Sequence, residues 1–442
     1  MKRCGKTVAV LLAVCLMASA VFRLPAKAQT STELPESIRS EYLLTVNLDT
    51  DTVLYERHAD ELVFCGFLPR ILLCAMLLDS GRNLSEQVTI TKSMLNETPK
   101  ANLTLALKDG DTMTLEDLAK SILGFNAQEG CVALACALFG STAAAVRALN
   151  DKAAELGMTA TTLTNVHGDM DDNPGWTTLQ DVMKAVRYAL GFERFKDYTN
   201  PGNFVAVSVN GNGVRIANRN SVVVSSGDNE YYIKKALGIA AWSPSATNHT
   251  QWKGSACDFV LDNNMRLVTI LVSFDGLRTA WNDMRTMLSL SSANYKTATV
   301  VKENQGLCEV AVECGKGRDR VIAAAASALI STIPESRDVS EFTYEIDVPE
   351  SVLAPVSKGQ VLGKATYFLD GKEAGTVELV AQTDVDANEI ELFTRRINTF
   401  FSRGTVWLIL LGIVVILAGY TILSRKFRDR RKKNKRVRIR LD

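Results

Sequence analysis

The sequence predicts an α+β first domain, a sheet with a helical block, followed by a small β-rich domain and a C-terminal transmembrane helix. Three observations carry that expectation. Residues 41–57 (EYLLTVNLDTDTVLYER) hold two alternating apolar runs around Asn47–Asp51, the pattern of paired strands. Residues 115–156 read almost continuously as helix, punctuated only at Gly124-Phe125-Asn126 and Gly140-Ser141. Residues 405–424 (TVWLILLGIVVILAGYTILS) are twenty uncharged residues, enough to cross a bilayer core.

Taken in order, residues 1–28 open with Lys2, Arg3 and Lys6, run uncharged from Thr7 to Phe22, and end in Ala26-Lys27-Ala28. That is the pattern of a secretory signal, with cleavage expected before Gln29. After the hairpin, residues 58–80 (HADELVFCGFLPRILLCAMLLDS) join an extended piece to a strongly apolar helix. Its first turn holds Phe67, Leu68, Pro69 and Arg70, and proline suits that position. Residues 89–94 are expected to be extended. Thr114 is placed to cap the next helix, with Glu116 and Asp117 in its first turn. Gly157 ends the third helix of the block.

Residues 165–175 read as a loop, and residues 177–190 as a helix with Leu179, Val182, Met183, Val186 and Leu190 at helical spacing. Strands are expected at 204–209, 214–217, 222–224 and 267–272, so the first domain covers about residues 35–290. Residues 295–385 alternate and turn at Asp370-Gly371 and Ala374-Gly375, a separate β-rich domain. In the connector, residues 388–403, Ile390, Leu392, Phe393, Ile397, Phe400 and Phe401 keep helical spacing. This segment either lies on the membrane surface or begins the membrane helix.

The overall charge of +1 conceals a division. Residues 425–442 form a basic tail with eleven Lys or Arg between Arg425 and Arg440. By the positive-inside rule this tail is cytoplasmic and the domains lie outside the cell membrane. Without the tail and residues 1–28, the remainder carries about −13. The tail is expected to hold topology and touch anionic lipid, and no nucleic acid partner is expected. Beyond residue 28 the seven cysteines are irregularly spaced, which is no disulfide framework. Cys308 and Cys314 either bridge a hairpin or remain thiols. No cysteine pair has zinc-site spacing and the histidines number three, so neither metal nor cofactor is expected.

Three stretches together resemble the low-molecular-weight penicillin-binding proteins, the serine-type D-alanyl-D-alanine carboxypeptidases of peptidase family S11. They are LTVNLDTDTVLYERHADE (44–61), NDKAAELGMTATTLTNVHG (150–168) and VLAPVSKGQVLGKATYFLDGKEAGTVELVAQTDV (352–385). The resemblance implies a penicillin-binding, β-lactamase-like fold for the first domain. It also implies an activity: removal of the terminal D-alanine from peptidoglycan stem peptides through a serine acyl-enzyme that penicillin traps. Such chemistry uses S-x-x-K, S-x-N and K-T-G motifs. Neither S-x-x-K nor K-T-G occurs anywhere in the sequence.

Laid on this chain, the resemblance puts the nucleophile at Phe67 and the lysine at Arg70. It puts the second motif at Asn126-Ala127-Gln128 and the third at Gly238-Ile239-Ala240. A three-residue shift would bring Lys235 to the third motif, followed by Ala236-Leu237, with side chains turned to the other face. Phenylalanine cannot be acylated, and arginine keeps its proton and cannot act as base. Phe67 is expected to fill the cleft mouth. Arg70 is expected either to bind a carboxylate or phosphate or to pair with Glu129 or another internal acid. His167 belongs to the family's H-G turn and reads as structural, and Lys234 and Lys235 as a solvated strand end.

The expected protein is therefore a membrane-anchored, inactive binding or scaffolding homologue in cell-wall metabolism, with stem peptides or cell-wall enzymes as partners. One alternative is an active enzyme using a nonstandard nucleophile such as Cys65 or Cys131. Another is a purely protein-binding partner without glycan contact.

Overall fold

The computed structural model describes residues 33–99, 105–169, 175–200, 202–218, 220–225, 229–244, 252–262, 265–273, 275–402 and 404–437. The expected signal, residues 170–174 of the loop and the last five residues of the tail lie outside the described residues. Two compact units emerge. One comprises residues up to 298 with 330–341, the other residues 299–329 with those from 342 onward.

In the first unit, β1 (Tyr42–Asn47) and β2 (Thr52–Arg57) form the expected antiparallel pair, with a bulge at Thr45/Val46. Helix α1 (Leu68–Asp79) follows, with nine of its twelve residues buried. A helix apolar on all sides has to sit at the centre of a core, and α1 does. Next come β3 (Gln87–Thr89), α2 (Lys92–Glu97) and β4 (Thr112–Thr114). The helical block is α3 (Leu115–Phe125), α4 (Gln128–Phe139) and α5 (Thr142–Glu155). Thr114 caps α3 by accepting the Asp117 amide, and Asn126 and Gly140 end α3 and α4 with positive φ. Helices α6 (Leu179–Leu190) and α7 (Glu193–Tyr198) lead to the hairpin β5 (Phe204–Val209) and β6 (Asn212–Ala217).

Strands β7 (Ala236–Pro244), β8 (Trp252–Asp262) and β9 (Met265–Ser273) complete a five-stranded antiparallel sheet in the order β2-β1-β9-β8-β7. Strand alternation divides its residues between two cores. Leu44, Val46, Val268 and Ile270 pack with α1 and the helical block. Leu43, Tyr55, Leu267 and Leu271 pack with Ala280, Trp281, Met284 and Leu288 of α8 (Leu277–Asn294). The sheet is thus covered by helices on both faces.

The remaining strands are β10 (Tyr295–Val301), β11 (Gly306–Glu313), β12 (Arg320–Ala325), β13 (Leu329–Pro334), β14 (Thr343–Asp347), β15 (Ser351–Leu353), β16 (Val361–Leu369) and β17 (Lys372–Ala381). Six of them make the sheet of the second unit, in the order β14-β16-β17-β12-β11-β15. Its core is built on alternating residues such as Val310, Val312, Val321, Ala323, Val377 and Leu379. The connector is helix α9 (Glu389–Ser402), and α10 (Gly404–Val437) contains the one helix among the described residues that is long and apolar enough to cross a membrane.

Two expectations need correction, and one open alternative is decided. Residues 89–94 are not one extended segment. Strand β3 stops at Thr89, and Thr91 caps α2 by accepting the Met94 amide at 3.3 Å. Residues 222–224 form a turn rather than a strand. The Asn220 side chain accepts the Val222 amide and its carbonyl accepts the Val223 amide, folding the chain back on itself. Cys308 and Cys314 are both free thiols. They lie along and just beyond one strand, and roughly 3.3 Å per residue carries them past bridging distance.

Candidate functional site

The sequence Gly66-Phe67-Leu68-Pro69-Arg70 fixes the start of α1. Proline is compatible with the first turn because that turn's amides lack intrahelical partners. Phe67, at the N-cap, offers no side-chain hydrogen bond and is fully buried in the larger core. Directly against this start lies the loop of residues 165–169. A Cβ on Gly168 would stand 1.8 Å from the Gly66 carbonyl oxygen, and Gly168 has φ +67°, so two separate constraints require glycine there.

One turn into the helix, Arg70 points inward and is 1% exposed. Its Nε donates to the His167 carbonyl oxygen at 2.7 Å. Burial pulls the pKa of the guanidinium down, opposed by the neighbouring Cys131 thiol and the Asp169 carboxylate. Asp169 in turn accepts from Nε2 of the buried Gln128 at 3.0 Å. The first and second motif positions are therefore linked through His167 and Asp169. Arg70 lies within electrostatic reach of Asp169, while Glu129 accepts the Leu105 amide at 2.9 Å.

Asn126 closes α3 with φ +74°, a conformation asparagine tolerates better than most residues. Its Oδ1, the Gln128 Oε1 and the Arg70 Nη1 are all buried without a hydrogen-bond partner. Such atoms are expensive to bury, so a closed polar cluster has replaced ordinary packing at this point.

The third motif position lies on β7. Gly238 donates its amide to the Thr199 carbonyl at 3.1 Å and faces Asp258 across the ladder. A Cβ on Gly238 would fall 1.7 Å from the Asp258 Oδ1, so that carboxyl group occupies the space a side chain here would need. Asp258 is fully buried, accepts a hydrogen bond from Asn220 Nδ2, and has its pKa pushed up to about 8 by desolvation. Ile239 is buried towards the helical block. Ala240 is buried on the opposite face. Lys234 and Lys235 are exposed in the turn before β7, so neither reading of the third motif places a cation in the cluster.

Cys65 ties the parts together. It lies beside Ser255 and Cys257 on β8, and Cys257 is the ladder partner of Ile239. Burial raises its thiol to about 12 and that of Cys131 to about 11. An activated cysteine shows the reverse, a lowered pKa and access to solvent.

Residues 28–234 match the family described as D-alanyl-D-alanine carboxypeptidase, and residues 295–387 match the C-terminal domain of penicillin-binding protein 5. Residues 28–234 belong to the D-alanyl-D-alanine carboxypeptidase family. Among its relatives, D-alanyl-D-alanine carboxypeptidase DacF of Bacillus subtilis is 22% identical over 401 residues, covering 90% of this chain and 98% of DacF. DacC of Escherichia coli is 25% identical over 369 residues, 81% of this chain and 87% of DacC. The crystal structure of penicillin-binding protein 5 from Haemophilus influenzae superimposes with a TM-score of 0.60 at 19% identity, covering 80% of this chain and all of that one. The fold is thus the penicillin-binding fold with its β-rich C-terminal domain.

Within that D-alanyl-D-alanine carboxypeptidase fold, Phe67, Arg70 and Gln128 are brought into one buried neighbourhood, with Asn126 at its edge. They provide no hydroxyl nucleophile and no amine that titrates near neutrality. Among the described residues no cluster of three or more His, Cys, Asp or Glu could hold a metal. Sequence reasoning missed Asp169 and Asp258. The signal for Asp258 was its setting in the otherwise apolar run from Ala256 to Leu261. Asp169 carried no comparable signal, because it sits in a run of acidic loop residues.

Proposed function

We propose that this protein is a membrane-anchored, extracytoplasmic D-alanyl-D-alanine carboxypeptidase homologue that has lost serine acyl transfer and serves peptidoglycan metabolism as a binding or scaffolding protein. One observation carries the reading. At the start of α1, where the family resemblance puts nucleophile and base, stand a fully buried phenylalanine and an arginine bound inward to the His167 carbonyl. A permanently protonated guanidinium cannot take a hydroxyl proton, and Phe67 has none to give. The sealed, protonated Cys65 and Cys131 supply no replacement.

The membrane part of the proposal is supported by the exposed apolar stretch of α10, and the proposed cytoplasmic side of the tail by the basic residues after it, read with the positive-inside rule. The partners proposed are stem peptides or the enzymes that process them. The test uses the purified full chain in detergent. Fluorescent penicillin is expected to leave it unlabelled, and a stem pentapeptide is expected to keep its terminal D-alanine. Covalent labelling approaching one penicillin per chain overturns the proposal. Co-sedimentation with isolated cell-wall sacculi separates glycan binding from a purely protein-binding role.

A further inference from the structure

Trp176 of the first unit is 54% exposed, although tryptophan in a folded domain is usually covered over most of its area. Its backbone is held from both sides. The Trp176 amide donates to the Thr162 carbonyl at 2.9 Å, and the Trp176 carbonyl accepts the Thr162 amide at 2.8 Å. Thr177 exchanges the equivalent pair of bonds with Val63, at 2.9 and 2.7 Å. A Cβ on Gly175 would stand 2.1 Å from the Thr162 carbonyl oxygen, so the chain passes this close only as glycine. The indole is therefore carried on a three-stranded ribbon and fixed in place before any ligand arrives.

The two antiparallel pairings set the neighbours of the ring. Thr162 lies opposite Trp176 on one side and Phe64 on the other, and strand alternation brings Thr164 to the same face as Thr162. Trp176, Phe64 and Thr164 also line a crevice with Pro69 and Leu163, which has room for about one methyl- or water-sized group. Phe64, Pro69 and Leu163 are buried, so the crevice wall is the start of α1 and the core behind it, whereas Thr162 and Thr164 are exposed. A rigid aromatic plate beside hydroxyls suits a ligand with one apolar and one polar side. A pyranose is such a ligand, with a flat face of axial C–H groups and hydroxyls around its edge. The crevice is too small for a ring and fits a methyl group. Asp60 and Glu61 are exposed on the segment leading to Phe64, and the chain without its tail and residues 1–28 carries about −13, which favours a neutral polymer over a polyanion.

We propose that Trp176 is the stacking platform of a sugar-binding site, on which an N-acetylated hexosamine lays its C–H face while its acetamido methyl enters the crevice between Phe64, Pro69 and Leu163. The source of that sugar is the glycan strand of the cell wall, and to that extent the inference rests on the reading of the protein as a cell-wall binding module. The site uses none of Phe67, Arg70, Gln128 or Gly238.

The test titrates the full chain, in a detergent without a sugar headgroup, with chitotetraose, a β-linked tetramer of N-acetylglucosamine. Cellotetraose, with hydroxyls in place of the acetamido groups, is the control, and Trp176→Ala is compared with the parent. Because Trp176 is exposed, this variant is expected to keep the parent's circular dichroism spectrum. Calorimetry is expected to show that the parent binds chitotetraose at least about tenfold more tightly than the variant does, and by a similar margin over cellotetraose. In the parent, the Trp176 indole N–H resonance, identified by its absence from the variant, is expected to shift during the titration. Equal affinity of parent and variant overturns the inference, and so does equal binding of the two tetrasaccharides. If the parent ignores chitotetraose but sediments with sacculi, the site is overturned while the glycan-binding role stands. If it does neither, glycan contact is excluded and the inference falls with it.

Discussion

The Arg70 guanidinium and the His167 carbonyl oxygen, 97 residues apart in the chain, meet at 2.7 Å inside the first unit. Arg70 also lies within electrostatic reach of the Asp169 carboxylate, which accepts from Gln128. Removing one member of a buried charge pair leaves the other without compensation, which costs about 3–5 kcal/mol. Arg70→Met is therefore expected to destabilise the first unit by about that amount in urea unfolding. Adding Asp169→Asn is expected to restore a large part of the loss, since no bare carboxylate then remains. A single Arg70→Met variant as stable as the parent would show that the cluster holds no such charge balance.

Phe67 gives a second prediction. Its ring is fully buried, and removing a buried phenylalanine costs about 3–5 kcal/mol. Phe67→Ser combined with Arg70→Lys writes S-x-x-K back into the chain. It is still expected to give no penicillin adduct, because Asn126-Ala127-Gln128 and Gly238-Ile239-Ala240 remain unchanged and the new serine replaces a packing residue. Labelling with fluorescent penicillin, alongside circular dichroism to confirm folding, decides the matter. Acylation of this double variant would show that the first motif alone had disarmed the site.

Much of the architecture was legible because it rests on local rules. The Thr114 cap, the left-handed Asn126 and Gly140, and the alternation in β1 and β2 each declare themselves within a few residues. Val222–Val224 misled because β-branched residues suggest a strand, while the Asn220 side chain, two residues earlier, makes a turn. At the site, the absence of serine and lysine could be read directly. What replaced them could not. Asp169 and Asp258 acquire their roles only when distant segments pack, Asp169 against Arg70 and Asp258 over Gly238, and no periodicity encodes either contact.

Asp258 supports a prediction about pH. Burial raises its pKa to about 8, whereas an unfolded aspartate titrates near 3.9. Between those values the folded protein holds a proton that the unfolded chain has released, so stability falls as pH rises from roughly 4 to 8. Below that window both states are protonated and above it both are ionised, so the contribution of this group is flat outside it. Asp258→Asn is expected to remove this part of the slope and to be more stable than the parent at pH 8. Urea unfolding at a series of pH values tests it, and parallel curves for the two proteins would exclude Asp258 as the source.

Gly238 and Asp258 also predict each other. A methyl group on residue 238 would come within 1.7 Å of the Asp258 Oδ1, a contact no rotamer adjustment of the methyl can relieve. Asp258 cannot simply swing away, because Asn220 holds it and the ladder pairing fixes its backbone. Overpacking of this kind costs about 1–3 kcal/mol. Gly238→Ala alone is expected to lose that much stability. In an Asp258→Ala background part of that loss should be recovered, because the competing carboxyl is gone while the Cys257 carbonyl oxygen, 2.7 Å from the added methyl, remains. The double-mutant cycle would then report a coupling of at least about 1 kcal/mol between positions 238 and 258. Additive effects would mean that the carboxyl does not occupy the space beside β7. The same reasoning predicts that a lysine at 238, as the K-T-G pattern requires, is tolerated only after Asp258 has been replaced by a smaller residue.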